Sequence, residues 1–339
     1  MENGLLIYKL NSFNYRVYYV RNKDYYIRNI KKELIRLIKK FKTCALCGAE
    51  KELELSHIVP KMAVRTLKKS AIGNIRNTDN PNVPIQDSEK HYMLCGTCED
   101  LFSEYETEFS KVIFHPYIKK ESDTFLYNDK LFYFITSVSW RSLYLDLLDF
   151  VENHVVGIEA LECLIDAEKT MRDFLIKERT DIGEIENHIF FFDDVAEVSG
   201  DVDGIEMSDL RPNATFHRGI SSYTFCYESE KTYGTITNML GVILLTLYHL
   251  GTEEKWVNTK IVNGNGIIAA KDQHITSVVG NEFTHIMITA QKASEAMSQM
   301  QKDKVDERVR NTGDSLKDSA VYRDWINDIQ LAKNDRKDE

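Results

Sequence analysis

Hydrophobic residues along this chain follow two different patterns. Between residues 29 and 41, apolar residues fall every three or four positions, with lysines and arginines between them. This period predicts a basic amphipathic helix. Segments at residues 4–20, 52–58 and 91–94 lack the helical period and predict strands or extended structure. The chain is therefore expected to begin with a strand segment and a basic helix over residues 1–40, followed by two further strands.

The remaining pattern predicts a second, larger domain in which helices predominate. A polar stretch after Pro116 predicts a linker over residues 116–129, followed by a mainly helical, mixed domain over 130–332 and a charged tail over 333–339. Helices are expected at residues 61–67, 99–112, 131–151, 160–179, 235–250, 294–310 and 315–332. Strands are expected at residues 188–192, 214–227 and 261–270, and a long loop at 73–87. The predicted fold class is α+β.

Four cysteines form two Cys-x-x-Cys pairs, and they are the clearest chemical signal in the chain. The pairs are Cys44 with Cys47 and Cys95 with Cys98, separated by 47 residues. Each pair places two thiolates on one tight turn, and two such turns complete a tetrahedron around Zn²⁺. Four sulfur ligands leave no position for water, so the predicted zinc ion is structural and takes no part in chemistry.

Two other interpretations of the cysteine pairs remain open from the residues alone. Disulfides are one, although no secretory signal precedes the cysteines. A redox Cys-x-x-Cys is the other, although neither pair lies in a thioredoxin-like pattern of strand and helix. The isolated Cys163 and Cys226 are interpreted as inert core residues.

Charge is distributed unevenly along the chain. The formal net charge is −10, yet residues 1–75 hold 16 Lys and Arg against 6 Asp and Glu, a local net charge of +10. A basic segment beside the cysteine pairs can neutralise phosphates, and a solvated helix face is the alternative explanation. Apolar runs are too short to cross a bilayer, so no membrane association and a cytoplasmic location are expected.

The order of motifs between residues 41 and 115 resembles the HNH endonucleases of the ββα-metal type. The chain reads Cys-x-x-Cys, then His57-Ile-Val-Pro60, then Leu94-Cys-Gly-Thr-Cys98 followed directly by Glu99 at the start of a predicted helix. The resemblance implies a small zinc-stapled module over 41–115 that hydrolyses phosphodiester bonds of DNA with Mg²⁺ or Mn²⁺. It also suggests a role in bacterial defence against phages, with the larger domain sensing or regulating.

The resemblance assigns roles to individual residues. His57 takes the place of the general base, and Glu99 stands where the family usually has a metal-binding histidine. A carboxylate suits hard Mg²⁺ or Mn²⁺ at least as well as imidazole. The orienting asparagine of the family falls near Lys90 or His91, and neither is an asparagine. His91 is therefore the candidate for that catalytic position.

Helical spacing adds one further candidate metal ligand. Glu106 lies seven residues after Glu99, which places both on one face of the predicted helix. An acidic residue there also has the ordinary explanation of a solvated face or a favourable interaction with the helix dipole. His57 also has an ordinary explanation, since a histidine alone is often structural. A set of basic residues after it could contact phosphates or form a solvated basic face: Lys61, Arg65, Lys68 and Lys69.

Two functional hypotheses therefore follow from the sequence. One is a metal-dependent HNH-like endonuclease that acts on DNA. The other is a catalytically inactive, zinc-stapled module that binds nucleic acid or protein, or a subunit active only inside a defence complex. The sequence leaves a protein partner or a homo-oligomer open in either case.

Overall fold

The computed structural model describes residues 43–193, 210–252 and 254–335. The predicted strand segment and basic helix over 1–40 lie outside the described residues, as does most of the predicted charged tail. Over the described ranges the protein is a mixed α/β structure, 49% helical and 23% strand. Among these residues no helix is both long enough and apolar enough to cross a membrane.

A two-stranded hairpin and a helix form the part of the structure around the cysteines. Strand β1 (Leu53–His57) pairs antiparallel with β4 (Lys90–Cys95), and the two confirm the strands expected at 52–58 and 91–94. Helix α1 (Lys61–Ser70) follows Pro60 and buries Ala63, Val64 and Leu67. The predicted loop after it contains one small antiparallel pair, β2 (Ile75–Arg76) with β3 (Pro84–Ile85). Helix α2 (Gly96–Phe109) starts directly from the second cysteine pair.

The stretch predicted as a linker is structured. Helix α2 continues through a π-helical turn (Ser110–Phe114) into α3 (His115–Ile118), and strand β5 (Thr124–Tyr127) follows. Strand β5 pairs with β12 (Gly266–Ala269), far away in sequence. The polar residues 119–123 lie just before β5 and give the composition of a linker, which is why the sequence pattern did not reveal this short strand.

Helix α4 (Asp129–Asn153) is the central element of the fold. It is buried over most of its length, and it packs against α2, α5 (Ile158–Leu175) and the main sheet. One continuous cluster of buried side chains extends from the cysteines through α2 and α4 to α5 and the sheet. Phe109 of α2 stacks on Phe134 of α4 with ring centroids 4.1 Å apart, so the cysteine-containing part and the rest share one core.

The main sheet has five antiparallel strands in the order β11-β6-β9-β8-β7. The strands, in chain order, are β6 (Glu186–Phe191), β7 (Ile220–Tyr227), β8 (Thr232–Met239), β9 (Val242–His249) and β11 (Lys260–Ile261). Strand β6 confirms the strand expected at residues 188–192. The expected strand at 214–227 is only partly correct, because its first residues form helix α6 (Pro212–His217).

The helix predicted over residues 235–250 is wrong. Strands β8 and β9 occupy this region, and a tight turn at Leu240 and Gly241 connects them. Both turn residues have positive φ angles, of 56° and 88°, as two-residue hairpin turns require. All residues of β8 and all but the last of β9 are buried. Strand β9 is a short apolar run, and a run of that kind resembles a buried helix.

The C-terminal part of the described chain consists of a short strand pair followed by helices. Strand β10 (Lys255–Val257) pairs with β13 (His274–Thr276), and helices α7 (Gly280–Ala296), α8 (Gln299–Thr312) and α9 (Ala320–Asp335) follow. A 3₁₀ turn (Gly313–Asp318) connects the last two helices. The helices expected at 294–310 and 315–332 correspond to α8 and α9 with shifted starts.

Candidate functional site

The four cysteines come together as the sequence predicted. Their sulfur atoms all lie within 4.8 Å of one another, and Cys47 Sγ is 3.8 Å from Cys95 Sγ. Within the described ranges, no other histidine, cysteine or acidic side chains form a group of three or more with such spacing. All four are free thiols, so no disulfide joins them.

The geometry of this cluster fits a tetrahedral metal ion. Zn–S bonds of ~2.3 Å place neighbouring sulfurs about 3.8 Å apart, which matches the distance between Cys47 and Cys95. The amide of Cys95 donates to Cys44 Sγ at 3.3 Å. A hydrogen bond from Cys98, opposed by burial and assisted by backbone donors, lowers the pKa of Cys44 to about 4. The cluster can therefore bind a metal such as zinc.

The position of the cysteines explains what such an ion would stabilise. Cys44 and Cys47 lie in the turn before β1, whereas Cys95 ends β4 and Cys98 lies in the first turn of α2. An ion held by all four would connect the start of the hairpin with the start of the helix. This connection fixes the relative position of His57, at the end of β1, and Glu99, next to Cys98.

His57 has an acidic partner that the sequence did not identify. Its Nε2 lies 3.1 Å from Asp87 Oδ2, and the His57 side chain is 16% exposed. Among the described residues, His57 Nδ1 has no hydrogen-bond partner. When the Nε2–H group donates a hydrogen bond to Asp87, the neutral ring carries its lone pair on Nδ1. The ring can then act as a base through Nδ1.

Asp87 remains ionised in this environment. Partial burial raises its pKa, but hydrogen bonds from Lys90 and His57 outweigh that effect and lower the pKa to about 2. Lys90 Nζ lies 3.1 Å from the same Oδ2 atom that contacts His57. Asp87 therefore carries its charge at neutral pH and orients the imidazole of His57.

A buried arginine binds the backbone carbonyl of His57. Arg141 on α4 is 1% exposed, and its Nη1 donates to the His57 carbonyl at 2.9 Å. Its Nη2 donates to Glu106 Oε1 at 2.8 Å, and its guanidinium lies over the Phe102 ring. Glu106, expected as a possible metal ligand, is thus engaged in an ion pair with Arg141.

Glu99 is placed as a buried carboxylate beside the end of β1. Its Oε1 is buried and has no hydrogen-bond partner among the described residues. Burial raises its pKa, whereas the neighbouring Ser56 hydroxyl and Arg141 lower it and Glu106 raises it. Because Ser56 precedes His57, Glu99 and the histidine lie on adjoining parts of the structure. A buried oxygen without a donor is suited to bind a cation.

His91 lies elsewhere on the hairpin. Its Nε2 is 2.8 Å from Glu89 Oε1, the two side chains are nearly half exposed, and its backbone pairs with Ser56. The structure therefore brings Asp87 to His57, and it places His91 against Glu89. His115 lies at the junction with α3, and desolvation lowers its pKa.

Sequence reasoning missed Asp87 and Arg141 for different reasons. Asp87 lies in a long loop, where side-chain position depends on packing that no local pattern reports. Arg141 had a signal, because it is a lone charge within the long apolar stretch of α4. A charge at such a position is almost never fully buried without a partner, so this pattern alone predicts an ion pair in the core.

The basic residues of α1 form an exposed face next to this site. Lys61, Arg65, Lys68 and Lys69 are exposed, on the side of the helix opposite its buried residues, and α1 contains no acidic residue. The Lys68 ammonium donates to the Gln86 carbonyl, next to Asp87. A positive face that begins four residues after His57 is suited to contact phosphates.

Comparisons with known proteins identified no relative. No protein-family model matches the chain, and neither a curated protein nor a solved structure is significantly similar to it.

Proposed function

We propose that this protein is a metal-dependent, HNH-like endonuclease that hydrolyses phosphodiester bonds of DNA. The observation that carries the proposal is the His57–Asp87 pair at the end of β1, together with Glu99 at the start of α2, whose Oε1 atom is buried and has no hydrogen-bond partner among the described residues. A base, its orienting acid and a candidate metal ligand are thus supported by one hairpin and one helix that meet at the cysteine cluster.

In this proposal His57 removes a proton from water. Asp87 holds the ring through Nε2 and favours the tautomer with the lone pair on Nδ1. As the proton arrives at Nδ1, the negative charge of Asp87 stabilises the imidazolium that forms. Arg141 fixes the His57 backbone, so both the ring and its attachment have defined positions before substrate binds.

Glu99 is the residue of this chain that would bind the catalytic divalent ion. When bound, Mg²⁺ or Mn²⁺ would stabilise negative charge on the scissile phosphate and on the leaving oxygen. Mg²⁺ commonly takes only one or two protein carboxylates and keeps several waters, so Glu99 suffices while Glu106 remains paired with Arg141. Exposed Lys61 and Arg65 would contact the DNA backbone.

Plasmid nicking tests this proposal. Purified full-length protein should convert supercoiled plasmid to the nicked form with Mg²⁺ or Mn²⁺ present, and His57→Ala should reduce the rate by about 10²-fold or more. Asp87→Asn should reduce it by roughly tenfold or more, because the amide can donate to the ring and stabilise the wrong tautomer. Glu99→Gln should raise the Mn²⁺ concentration needed for half-maximal rate.

Two histidine variants serve as comparisons. His274→Ala removes an exposed histidine on β13 and should leave the nicking rate unchanged. His91→Ala distinguishes the two candidates for the orienting group: a loss as large as that of Asp87→Asn would favour His91. If the wild-type protein shows no metal-dependent nicking, or if His57→Ala nicks at the wild-type rate, the nuclease proposal is wrong.

The second candidate function is a zinc-stapled module that binds nucleic acid without cutting it. Within the described ranges, His57, Glu99 and Glu106 do not form a compact group of three metal-ligating atoms, and this observation favours the second candidate. Salt-dependent DNA binding without nicking, weakened by Arg65→Gln and unchanged by His57→Ala, would support it.

A further inference from the structure

A large cavity lies on the other side of the loop that carries Asp87. Its volume is about 610 Å³, within the range of small-molecule sites. Three parts of the protein enclose it: α1 and the loop after it, the β7 edge of the main sheet, and the C-terminal helices α7, α8 and α9. Because these parts are distant in sequence, the cavity exists only in the assembled fold.

Much of the cavity wall is apolar. The side chains that make this surface come from all three parts. They include Val64, Leu67, Ile220, Ile286, Val309 and Trp325. Water makes few hydrogen bonds along such a wall, so a ligand with an apolar body gains by displacing it.

Three arginines line the same cavity without acidic partners. Arg76 donates to the Pro81 carbonyl at 2.6 Å and to Gln301 Oε1 at 2.9 Å, and Arg218 donates to the Ser70 carbonyl at 3.2 Å. Among the described residues, neither these two nor Arg308 has a carboxylate oxygen within 4.0 Å. The acceptors that Arg76 and Arg218 contact directly are therefore neutral.

Arg218 has one carboxylate in its wider surroundings. Asp324 opposes the lowering of the Arg218 pKa by burial. The Asp324 carboxylate contacts His217 Nδ1 at 3.2 Å and Arg323 Nε at 3.9 Å. Its charge is thus shared with two other cations, which leaves Arg218 without a dedicated counter-ion.

The carboxylates on the cavity wall are also engaged elsewhere. Asp87 binds His57 and Lys90, and Glu89 contacts His91. Asp146 is enclosed by protein and borders the cavity; burial raises its pKa to about 7, although hydrogen bonds from Thr224 lower it. The balance of charge available to a ligand is consequently positive.

Two hydroxyl groups on the wall have no partner. Ser88 Oγ and Ser221 Oγ are buried, and neither has a hydrogen-bond partner among the described residues. Ser88 and Ser221 both line the cavity, and their unsatisfied hydroxyls are exceptions to the rule that buried polar atoms are paired.

We propose that this cavity binds a small organic anion, whose acidic group pairs with Arg218 and Arg308 and whose apolar body lies against the aliphatic wall. Guanidinium groups bind carboxylate and phosphate in a bidentate manner, so the two arginines suit the acidic group of such a ligand. The proposal concerns binding alone and does not depend on the nuclease activity.

Two related dyes test it directly. Anilinonaphthalene sulfonate has an aromatic body and one negative charge, whereas N-phenyl-1-naphthylamine has the same body without the charge. Full-length protein below its unfolding temperature should bind the sulfonate saturably, with fluorescence reporting the titration. Arg218→Gln and Arg308→Gln should each weaken sulfonate binding by about tenfold or more, and should leave binding of the neutral dye unchanged.

Matched variants locate the binding in the cavity. Arg179→Gln removes an exposed arginine that pairs with Asp181 outside the cavity, and it should alter neither dye. Ser221→Leu fills space in the cavity and should weaken both dyes, and Ser221→Val, a smaller enlargement, serves if leucine prevents folding. The proposal is overturned if the sulfonate does not bind, or if the arginine variants weaken both dyes or neither.

Competition identifies the acidic group of the ligand. Displacement of the sulfonate dye by adenosine monophosphate indicates a phosphate ligand, and displacement by octanoate indicates a carboxylate ligand. Either result supports the proposal. If both compounds fail at millimolar concentration, the cavity does not select organic anions and the proposal is wrong.

Discussion

Replacing Arg141 with methionine should strongly destabilise the protein. Arg141 is 1% exposed and makes hydrogen bonds to the Glu106 carboxylate and to the His57 carbonyl, at 2.8 and 2.9 Å. Methionine retains most of the apolar length of the side chain and removes the charge. The substitution therefore tests the polar contacts and disturbs packing little.

The size of the loss follows from the partners that remain. A hydrogen bond to a charged group contributes about 1.5–3 kcal/mol, and breaking a buried ion pair by removing one partner costs about 3–5 kcal/mol. Glu106 is 22% exposed, so water can partly hydrate its carboxylate after the change. The expected decrease in the free energy of unfolding is therefore about 3 kcal/mol, at the lower end of the range.

Urea denaturation followed by tryptophan fluorescence and circular dichroism measures this loss. Arg179→Met is the control, because Arg179 forms an exposed pair with Asp181 and should contribute less than about 1 kcal/mol. A double-mutant cycle with Glu106→Gln should give a coupling energy of roughly 1–2 kcal/mol. A decrease below about 1 kcal/mol for Arg141→Met would refute the reasoning.

Three further predictions concern the cysteines, the cavity and the main sheet. Purified protein should contain one zinc ion per chain, measured by atomic absorption, and Cys98→Ser or chelation should lower both the zinc content and the unfolding temperature. The pKa of Asp146 is about 7 in the folded protein, whereas its usual value is 3.8. At a pH between 3.8 and 7 the unfolded chain has therefore lost a proton that the folded protein keeps. The free energy of unfolding should therefore fall as pH rises through this window, by about 1.4 kcal/mol per pH unit and up to about 4 kcal/mol in all. Urea titrations at pH 5 and pH 8 measure this fall, which should be smaller in Asp146→Asn than in the wild-type protein. Gly241→Ala should cost roughly 1–2 kcal/mol by thermal unfolding, because φ is 88° and the added Cβ would lie 2.6 Å from His217.

The parts of the fold that were predicted correctly are those specified by local chemistry. The cysteine pairs needed only two tight turns, and β1, β4 and α2 follow directly from them in sequence. Helix α4 has an apolar surface nearly all round, so its length alone distinguished it from a strand. These elements depend little on distant residues.

The parts that were missed depend on partners far away in sequence. Strand β8 pairs with β7 and β9, and β9 also pairs with β6. The apolar run of β9 cannot be told from a buried helix by its periodicity alone. Gly241 was the available signal, because a glycine within an apolar run often marks a turn. Asp87 reaches His57 across 30 residues, and Arg141 reaches it across 84. Contacts of this kind arise only when the elements pack.

The loop between α1 and β4 connects the two proposed sites. It supplies Asp87 to His57, and the next residue, Ser88, lines the cavity. Its position in turn depends on the hairpin, which the cysteine cluster holds to α2. Loss of zinc should therefore abolish both dye binding and nicking, and it cannot distinguish one proposal from the other. Arg308→Gln and His57→Ala do distinguish them, because Arg308 lines the cavity, whereas the His57 ring binds Asp87 and is not among the described residues that line the cavity.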